Sequence, residues 1–207
     1  MEFKVKYLGY AVLGLGGAYL AYRLINKGFS FAAKYPRLYA LVTKGESKTY
    51  NDYNFYTLSG LKSNVDGKGP KYPLLKRPLS TYTVRSIKMM QAENRYGMNG
   101  QLYATGRYQI IPSTLIAMQK IANIPDTAIY GPVTQDLLCN ALIASKPALN
   151  NYLTKKVPDT DANLKAAALA VAQIWSSVGK PSDNRSYYGE NVTVSTQSVQ
   201  KMLRSYR

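Results

Sequence analysis

The sequence contains no histidine, and Cys139 is the single cysteine among its 207 residues. Without histidine, the chain can have no nucleophile activated by an imidazole base and no metal site built on imidazole. One cysteine can form neither an intramolecular disulfide nor a cysteine metal cluster. We therefore expect no metal and no cofactor, and any catalysis must come from carboxylates, tyrosines, amides or the backbone.

Acidic residues are also few. The chain has 11 Asp and Glu against 27 Lys and Arg, which gives a net charge of +16. Such a charge attracts anionic partners, and nucleic acid, phospholipid and bacterial cell wall all qualify. The cations are spread along the whole chain and no DNA-reading motif is present, so we expect no specific nucleic-acid partner.

Residues 1–27 differ from the rest and are predicted to form a membrane anchor. The run YLGYAVLGLGGAYLAY, residues 7–22, carries no charge, and a helix over residues 7–25 approaches the length needed to cross a bilayer core of ~30 Å. A cleaved signal peptide and an apolar helix in a soluble core are the alternatives. Positive charges flank the run almost evenly, so the sequence does not determine on which side of the membrane the following domain lies. Residues 28–35 are predicted to be a linker.

Residues 36–207 are predicted to form one mainly α domain with at most a small hairpin. Pro36 suits a first helical position, and Gly45 is predicted to end this helix, which puts Glu46 at its tail. Thr83 is predicted to cap a further helix, and Asp161 to cap the most hydrophobic one, which we expect to be buried at the centre. Other helices are predicted to start at Pro112, Pro132 and Pro147, and the last contains Val199, Met202 and Leu203. Their predicted apolar faces include Ile121 in the helix from Pro112, and Val133, Leu137, Ala141 and Leu142 in the helix from Pro132.

Residues 47–77 are rich in Tyr, Asn, Gly, Ser and Lys and are predicted to form a long loop, with a small hairpin around residues 66–67 as an option. A lone carboxylate at a helix end beside such a loop suits general acid catalysis at a sugar oxygen. Burial would raise the pKa of Glu46, and tyrosine and asparagine would bind hydroxyl and acetamido groups. The competing interpretation is an ordinary solvated surface glutamate.

Two segments carry a resemblance to a known family. GESKTYNDYN, residues 45–54, resembles the E-S-G-G-x-Y-N-x-Y-N segment of phage-type lysozyme-like proteins. ATGRYQIIPSTL, residues 104–115, resembles their A-x-G-R-Y-Q-I-I-P-x-T-L segment and the G-L-M-Q-I-x-P-x-T motif of soluble lytic transglycosylases. Segments AQIWSSVG and SYYG follow in the order that the family shows, so the resemblance spans residues 36–207.

The resemblance implies a lysozyme-like domain that cleaves the β-1,4 bond between N-acetylmuramic acid and N-acetylglucosamine in peptidoglycan strands. It assigns Glu46 as the catalytic acid. The substrate-binding positions that it implies are Ser47, Tyr50, Asn51, Arg107, Tyr108, Gln109 and Tyr188. Arg107 is also open to a structural role, and Tyr108 is equally well explained by core packing.

Two reactions are compatible with a single acid. Attack by the muramic acid 6-hydroxyl makes a lytic transglycosylase, which the absence of a clear second carboxylate favours, and attack by water makes a lysozyme. Asp52, Asp66 and Glu93 are candidates for a second carboxylate, and none is assigned. The expected location is a virion membrane or a bacterial inner membrane, among virion or envelope-complex proteins. The alternative is a non-catalytic, membrane-anchored structural or glycan-binding protein of a virion or secretion apparatus.

Overall fold

The computed structural model describes residues 33–46, 53–58, 75, 77–92 and 102–207. This part of the chain is mainly helical, as predicted, with one two-stranded sheet. The predicted anchor in residues 1–27, most of the linker and the optional hairpin at residues 66–67 lie outside the described residues. Within the described ranges, every helix is too short or too polar to cross a bilayer.

The helices begin largely where the sequence predicts. Proline occupies the first position of four of them, where its fixed φ suits the helix and its missing N–H is not needed. The elements in chain order are α1 (Pro36–Glu46), β1 (Tyr56–Leu58), a 3₁₀ turn (Leu79–Thr81), α2 (Val84–Ala92), β2 (Leu102–Thr105), α3 (Pro112–Ile121), α4 (Pro132–Ala144), α5 (Pro147–Leu153), α6 (Asp161–Ile174) and α7 (Thr196–Arg204).

Hydroxyl side chains cap two of the helices near their predicted starts. The Thr83 Oγ1 accepts a hydrogen bond from the backbone N–H of Ser86 at 3.2 Å, as expected for an N-cap of α2. At α6 the cap is Thr160, whose hydroxyl accepts from the backbone N–H of Asn163. The prediction that Asp161 caps α6 is wrong by one residue, because Asp161 is already helical, where its charge favours the helix dipole.

Helix α6 is the buried central helix that the sequence predicts. Its alanine-rich face, including Ala167, Ala168 and Val171, is inaccessible to solvent. The small side chains let α5 and α7 pack closely on either side. Trp175 follows the helix directly and is also buried, so the segment after α6 is anchored in the core.

The sheet was not predicted. Strands β1 and β2 are antiparallel, with Tyr56 opposite Thr105 and Leu58 opposite Leu102. The residues of β1 fall within the predicted loop, because three residues carry too little alternation to indicate a strand. Their pairing depends on a partner that lies more than 40 residues further along the chain.

Helix α4 buries only part of its predicted face: Ala141 lies in the core, but the first half of the face points outward. Val133 and Leu137, expected in the core, are 49% and 39% exposed. Thr134, Gln135 and Asp136 are buried instead. The prediction is wrong because apolar periodicity misleads where a helix buries polar side chains that find partners elsewhere. Ile121 at the end of α3 is likewise exposed, not buried.

Asp136 is the centre of this buried polar cluster. Its Oδ1 accepts hydrogen bonds from the hydroxyls of Tyr53, at 3.2 Å, and of Tyr108. The Arg107 Nη1 lies 3.7 Å from the same oxygen and donates to the Tyr53 hydroxyl at 2.7 Å. The side chains of Arg107 and Asp136 are 4% and 0% exposed, so this is a buried ion pair. It ties α4 to the segment after β2 and to the residues before β1.

We expect Asp136→Asn to lower the free energy of unfolding by about 3–5 kcal/mol, because it leaves the Arg107 charge buried and uncompensated. Urea denaturation measures this loss. Asp161→Asn is the matched control, since it removes an exposed carboxylate paired with Arg204 at 2.6 Å and should cost less than about 1 kcal/mol. Equal losses in the two variants would contradict the importance of the buried pair.

Candidate functional site

Glu46 is the last residue of α1, and its side chain is half-buried. Its Oε1 accepts two hydrogen bonds from one residue, Ser177: 3.1 Å from the backbone N–H and 2.6 Å from the hydroxyl. Ser177 lies two residues after the buried Trp175, at the end of α6. The contact therefore joins the end of α1 to the end of the central helix, 131 residues further along the chain.

Burial raises the pKa of the Glu46 carboxyl above its ordinary value of 4.5. Desolvation is the largest cause, the negative charge of Glu190 also raises the pKa, and the two hydrogen bonds from Ser177 lower it. The net effect favours the protonated acid. Because Ser177 donates both of its hydrogens to Oε1, the proton of the neutral acid belongs on Oε2, which is the arrangement that a proton donor needs.

Gly45 allows this close approach. A Cβ at this position would lie 2.6 Å from the Thr193 Oγ1 and 2.8 Å from the Ser177 Cβ, both far inside ordinary contact. Helix α1 thus packs its last turn directly against the segment that carries Ser177 and Thr193. A side chain at position 45 would push that segment away from Glu46.

Gln109 lies in the turn that follows β2. Its backbone has a φ of 50°, and its side-chain Nε2 donates to the carbonyl of Gly106 at 2.9 Å and to that of Phe55 at 3.4 Å. Gly106 itself has a φ of 73°, and a Cβ there would lie 2.6 Å from the Gln135 Cδ. The amide of Gln109, which is half-buried, therefore supports its own turn and the start of β1.

Packing relates this turn to the helix that ends in Glu46. The rings of Tyr39 and Tyr108 meet edge to face with their centroids 5.3 Å apart. Tyr39 and Glu46 are two helical turns apart, so they lie on one face of α1 and are separated by about 10 Å along it. Tyr108, the neighbour of Gln109 in this turn, thus contacts the face of α1 that ends at Glu46, about 10 Å from it along the helix.

Arg107 and Tyr108 are placed in the core. Both were expected among the substrate-binding residues, but they are only 3% and 2% exposed. Their polar atoms are engaged with Asp136 and Tyr53. Their burial fits the structural alternative that the sequence left open for each.

Tyr188 lies on the surface with 57% of its area exposed. Its hydroxyl donates to the carbonyl of Gln173 near the end of α6, at 2.6 Å, and its ring meets that of Tyr187 edge to face at 5.2 Å. The pair presents aromatic surface to solvent. The other predicted positions, Ser47, Tyr50 and Asn51, and the carboxylates Asp52, Asp66 and Glu93 lie outside the described residues.

Ser177 and Glu190 are not among the residues that the sequence predicts for the site. Ser177 falls in the segment AQIWSSVG, and Glu190 follows SYYG, both of which contribute to the family resemblance. The resemblance marked these segments without indicating which side chain meets Glu46. The sequence therefore indicated the right segment but not the right side chain, because the contact between Ser177 and Glu46 depends on how the end of α1 packs beside the end of α6.

Comparison of the chain with protein-family models, with curated proteins and with solved structures gives no match. Among the described residues, no group of three or more Asp, Glu, Cys or His side chains is placed to hold a metal ion.

Glu46→Gln should become more stable relative to the wild type as the pH rises. A raised pKa in the folded state means that wild-type stability falls as the pH rises from about 4.5 through the folded pKa, and the amide does not titrate. Urea denaturation between about pH 4.5 and about pH 8 measures the difference. The chain has no histidine, so no imidazole titrates in that window.

Asp126→Asn is the control for this experiment. A hydrogen bond from Lys88 lowers the pKa of Asp126 below its ordinary 3.8, so its contribution to stability is complete above that pH. The difference between this variant and the wild type should stay flat across the same window. A flat difference for Glu46→Gln as well would contradict the desolvated environment of Glu46.

Proposed function

We propose that this protein is a peptidoglycan-degrading glycosidase that cleaves the β-1,4 bond between N-acetylmuramic acid and N-acetylglucosamine. The observation that carries the proposal is the Glu46 carboxyl, desolvated at a helix end with one oxygen fixed by two donors of Ser177. The resemblance of residues 36–207 to lysozyme-like proteins assigns the catalytic acid to the same residue.

The mechanism follows from the two carboxyl oxygens. With Oε1 fixed by Ser177, Glu46 donates the proton on Oε2 to the glycosidic oxygen, and the bond from that oxygen to C1 of the muramic ring breaks. Positive charge develops on the ring as its leaving group departs. The Glu46 carboxylate then accepts a proton from the attacking hydroxyl, which regenerates the acid.

Two products are compatible with this mechanism. Attack by the 6-hydroxyl of the muramic acid gives a 1,6-anhydro sugar, and attack by water gives a reducing end. Mass spectrometry of the released muropeptides distinguishes them, because the products differ by one water. We favour the anhydro product, since none of the three sequence candidates for a second carboxylate is assigned.

The proposal includes confinement to a membrane. The uncharged run in residues 7–25 would hold the domain at a virion membrane or a bacterial inner membrane, with residues 36–207 forming a lysozyme-like domain that faces the cell wall. The net charge of +16 favours contact with anionic wall polymers. Confinement would limit a lethal activity to one place on the envelope.

Zymography and turbidity clearing on purified cell wall, with the full chain in detergent, test the proposal. We expect clearing by the wild type and a loss of at least ~100-fold in Glu46→Gln, because the amide cannot donate or accept the proton. Asp161→Asn is the matched control, since its carboxylate pairs with Arg204 on the surface, and it should clear like the wild type.

Two outcomes would contradict catalysis by Glu46. Clearing that persists in Glu46→Gln would place the acid elsewhere. Binding of the wild type to glycan without any clearing would support the alternative, a structural or glycan-binding module, for which the exposed pair Tyr187 and Tyr188 would supply the contact surface.

A further inference from the structure

Helix α4 meets solvent mainly along one stripe. Val133, Leu137 and Ala144 are exposed, and Asn140 is half-buried between the last two. Because these positions are spaced by four, three and four residues, they follow one line along the helix over about 16 Å. The stripe carries no charge, and its two large side chains, Val133 and Leu137, are apolar.

Ile129 adds apolar surface at the start of this helix. It is 52% exposed, and its carbonyl accepts the Thr134 hydroxyl at 2.6 Å, which holds it beside the first turn of α4. Exposed apolar side chains that are grouped on one element mark a site of protein or membrane contact, whereas single ones do not. We call Ile129, Val133 and Leu137 the α4 apolar surface.

The start of the α4 apolar surface lies beside an excess of positive charge. Asp126, shortly before Ile129 in the chain, pairs with Lys88 at 2.6 Å and with Arg85 at 3.7 Å. Two cations therefore face one carboxylate there. The carboxylate of α4 itself, on Asp136, is buried and adds no negative charge to the surface.

The described chain begins at the other end of the same stripe. The backbone N–H of Lys34 donates to the Oδ1 of Asn140 at 3.1 Å, about one turn beyond Leu137. The side chains of Lys34 and Arg37 are exposed, so cations lie at this end as well. The proposed membrane anchor ends at residue 25, and residues 26–34 span at most about 30 Å when fully extended. The α4 apolar surface is therefore close to the point at which the domain would be tethered to a bilayer.

We propose that the α4 apolar surface docks on an anionic lipid bilayer, with its three apolar side chains in the headgroup region and the cations of both ends against the lipid phosphates. An apolar centre flanked by cations is the arrangement of protein segments that lie on a membrane surface. This docking rests on the membrane confinement proposed above, and it adds a contact made by the folded domain itself.

Docking would also orient the proposed acid. Glu46 lies at the far end of α1, about 15 Å from Pro36 along the helix. A tether alone lets the domain rotate about its point of attachment, whereas a second contact through α4 restricts that rotation. Glu46 is then held in one orientation relative to the membrane.

Depth-dependent fluorescence quenching tests the docking. The full chain with Leu137→Cys is labelled with a nitrobenzoxadiazole dye and reconstituted into vesicles of equal parts phosphatidylcholine and phosphatidylglycerol. We expect quenching by nitroxide-bearing lipid and shielding from aqueous iodide, since a docked face lies ~5–10 Å deep at the boundary of headgroups and acyl chains. Cys139 is 0% exposed, so the dye reacts at position 137 of the folded chain.

Ser182→Cys provides the matched label position. Ser182 is exposed in the segment after α6, whose Ser177 contacts Glu46. A label there should be quenched by iodide and not by nitroxide-bearing lipid. The comparison separates docking of α4 from mere attachment of the chain to the vesicle.

Two further variants carry the label at position 137 and each add one carboxylate. Val133→Glu should reduce the lipid quenching to the level of the Ser182 label, because a charge then enters the apolar surface. Gln197→Glu, on the exposed first turn of α7, should leave the quenching unchanged. Equal quenching in these two variants would contradict docking through α4.

The lipid composition tests the cations. In vesicles of phosphatidylcholine alone, quenching by nitroxide-bearing lipid at position 137 should weaken, because the attraction of the flanking lysines and arginines to anionic lipid is lost. Unchanged quenching would overturn the part that these cations play.

Equal iodide quenching at positions 137 and 182 would overturn the docking, and so would failure of the full chain to float with the vesicles. Shielding from iodide without quenching by lipid would also overturn it, because residues 1–32 or a second copy of the chain would then cover the surface. None of these measurements needs activity. A wild type that docks without clearing cell wall would therefore overturn the glycosidase and support the docking.

Discussion

The hydrogen bonds from Ser177 to Glu46 are the interaction on which the proposed site depends. Taking a carboxyl out of water is costly, and these two donors offset part of that cost while fixing one oxygen. They also lock the last turn of α1 to the segment after α6, where Gly45 leaves no room for a side chain. The same contact thus sets the position of the acid.

Asp136 and Glu46 show two ways of placing a carboxyl inside a protein. Asp136 lies beside the guanidinium of Arg107 and accepts hydrogen bonds from two tyrosine hydroxyls, an arrangement that holds the fold together. Glu46 is desolvated, accepts two hydrogen bonds from Ser177 and is repelled by the like charge of Glu190. The net effect raises its pKa and favours the protonated acid. The first suits a structural ion pair, and the second suits proton transfer.

Local signals predicted most of the helices, and packing decided the rest. Proline at the first helical position and apolar periodicity located α1 and α3–α5, and Thr83 capped α2 as expected. The polar part of the inward face of α4 was not predictable, because Asp136 is buried with a hydrogen-bond donor, Tyr53, that lies 83 residues away in the chain. Ser177 was missed for the same reason. Glu46 was recognisable because its motif is local, whereas its partner is identified only by the packing of α1 against the end of α6.

The central claim is that Glu46 is a desolvated acid that retains its proton above the pH at which an ordinary glutamate loses it. NMR titration of the side-chain carboxyl carbons measures this directly, and Glu46→Gln assigns the signal among the four glutamates at positions 2, 46, 93 and 190. The account predicts that the Glu46 signal titrates above 4.5. Titration at or below that value would contradict it.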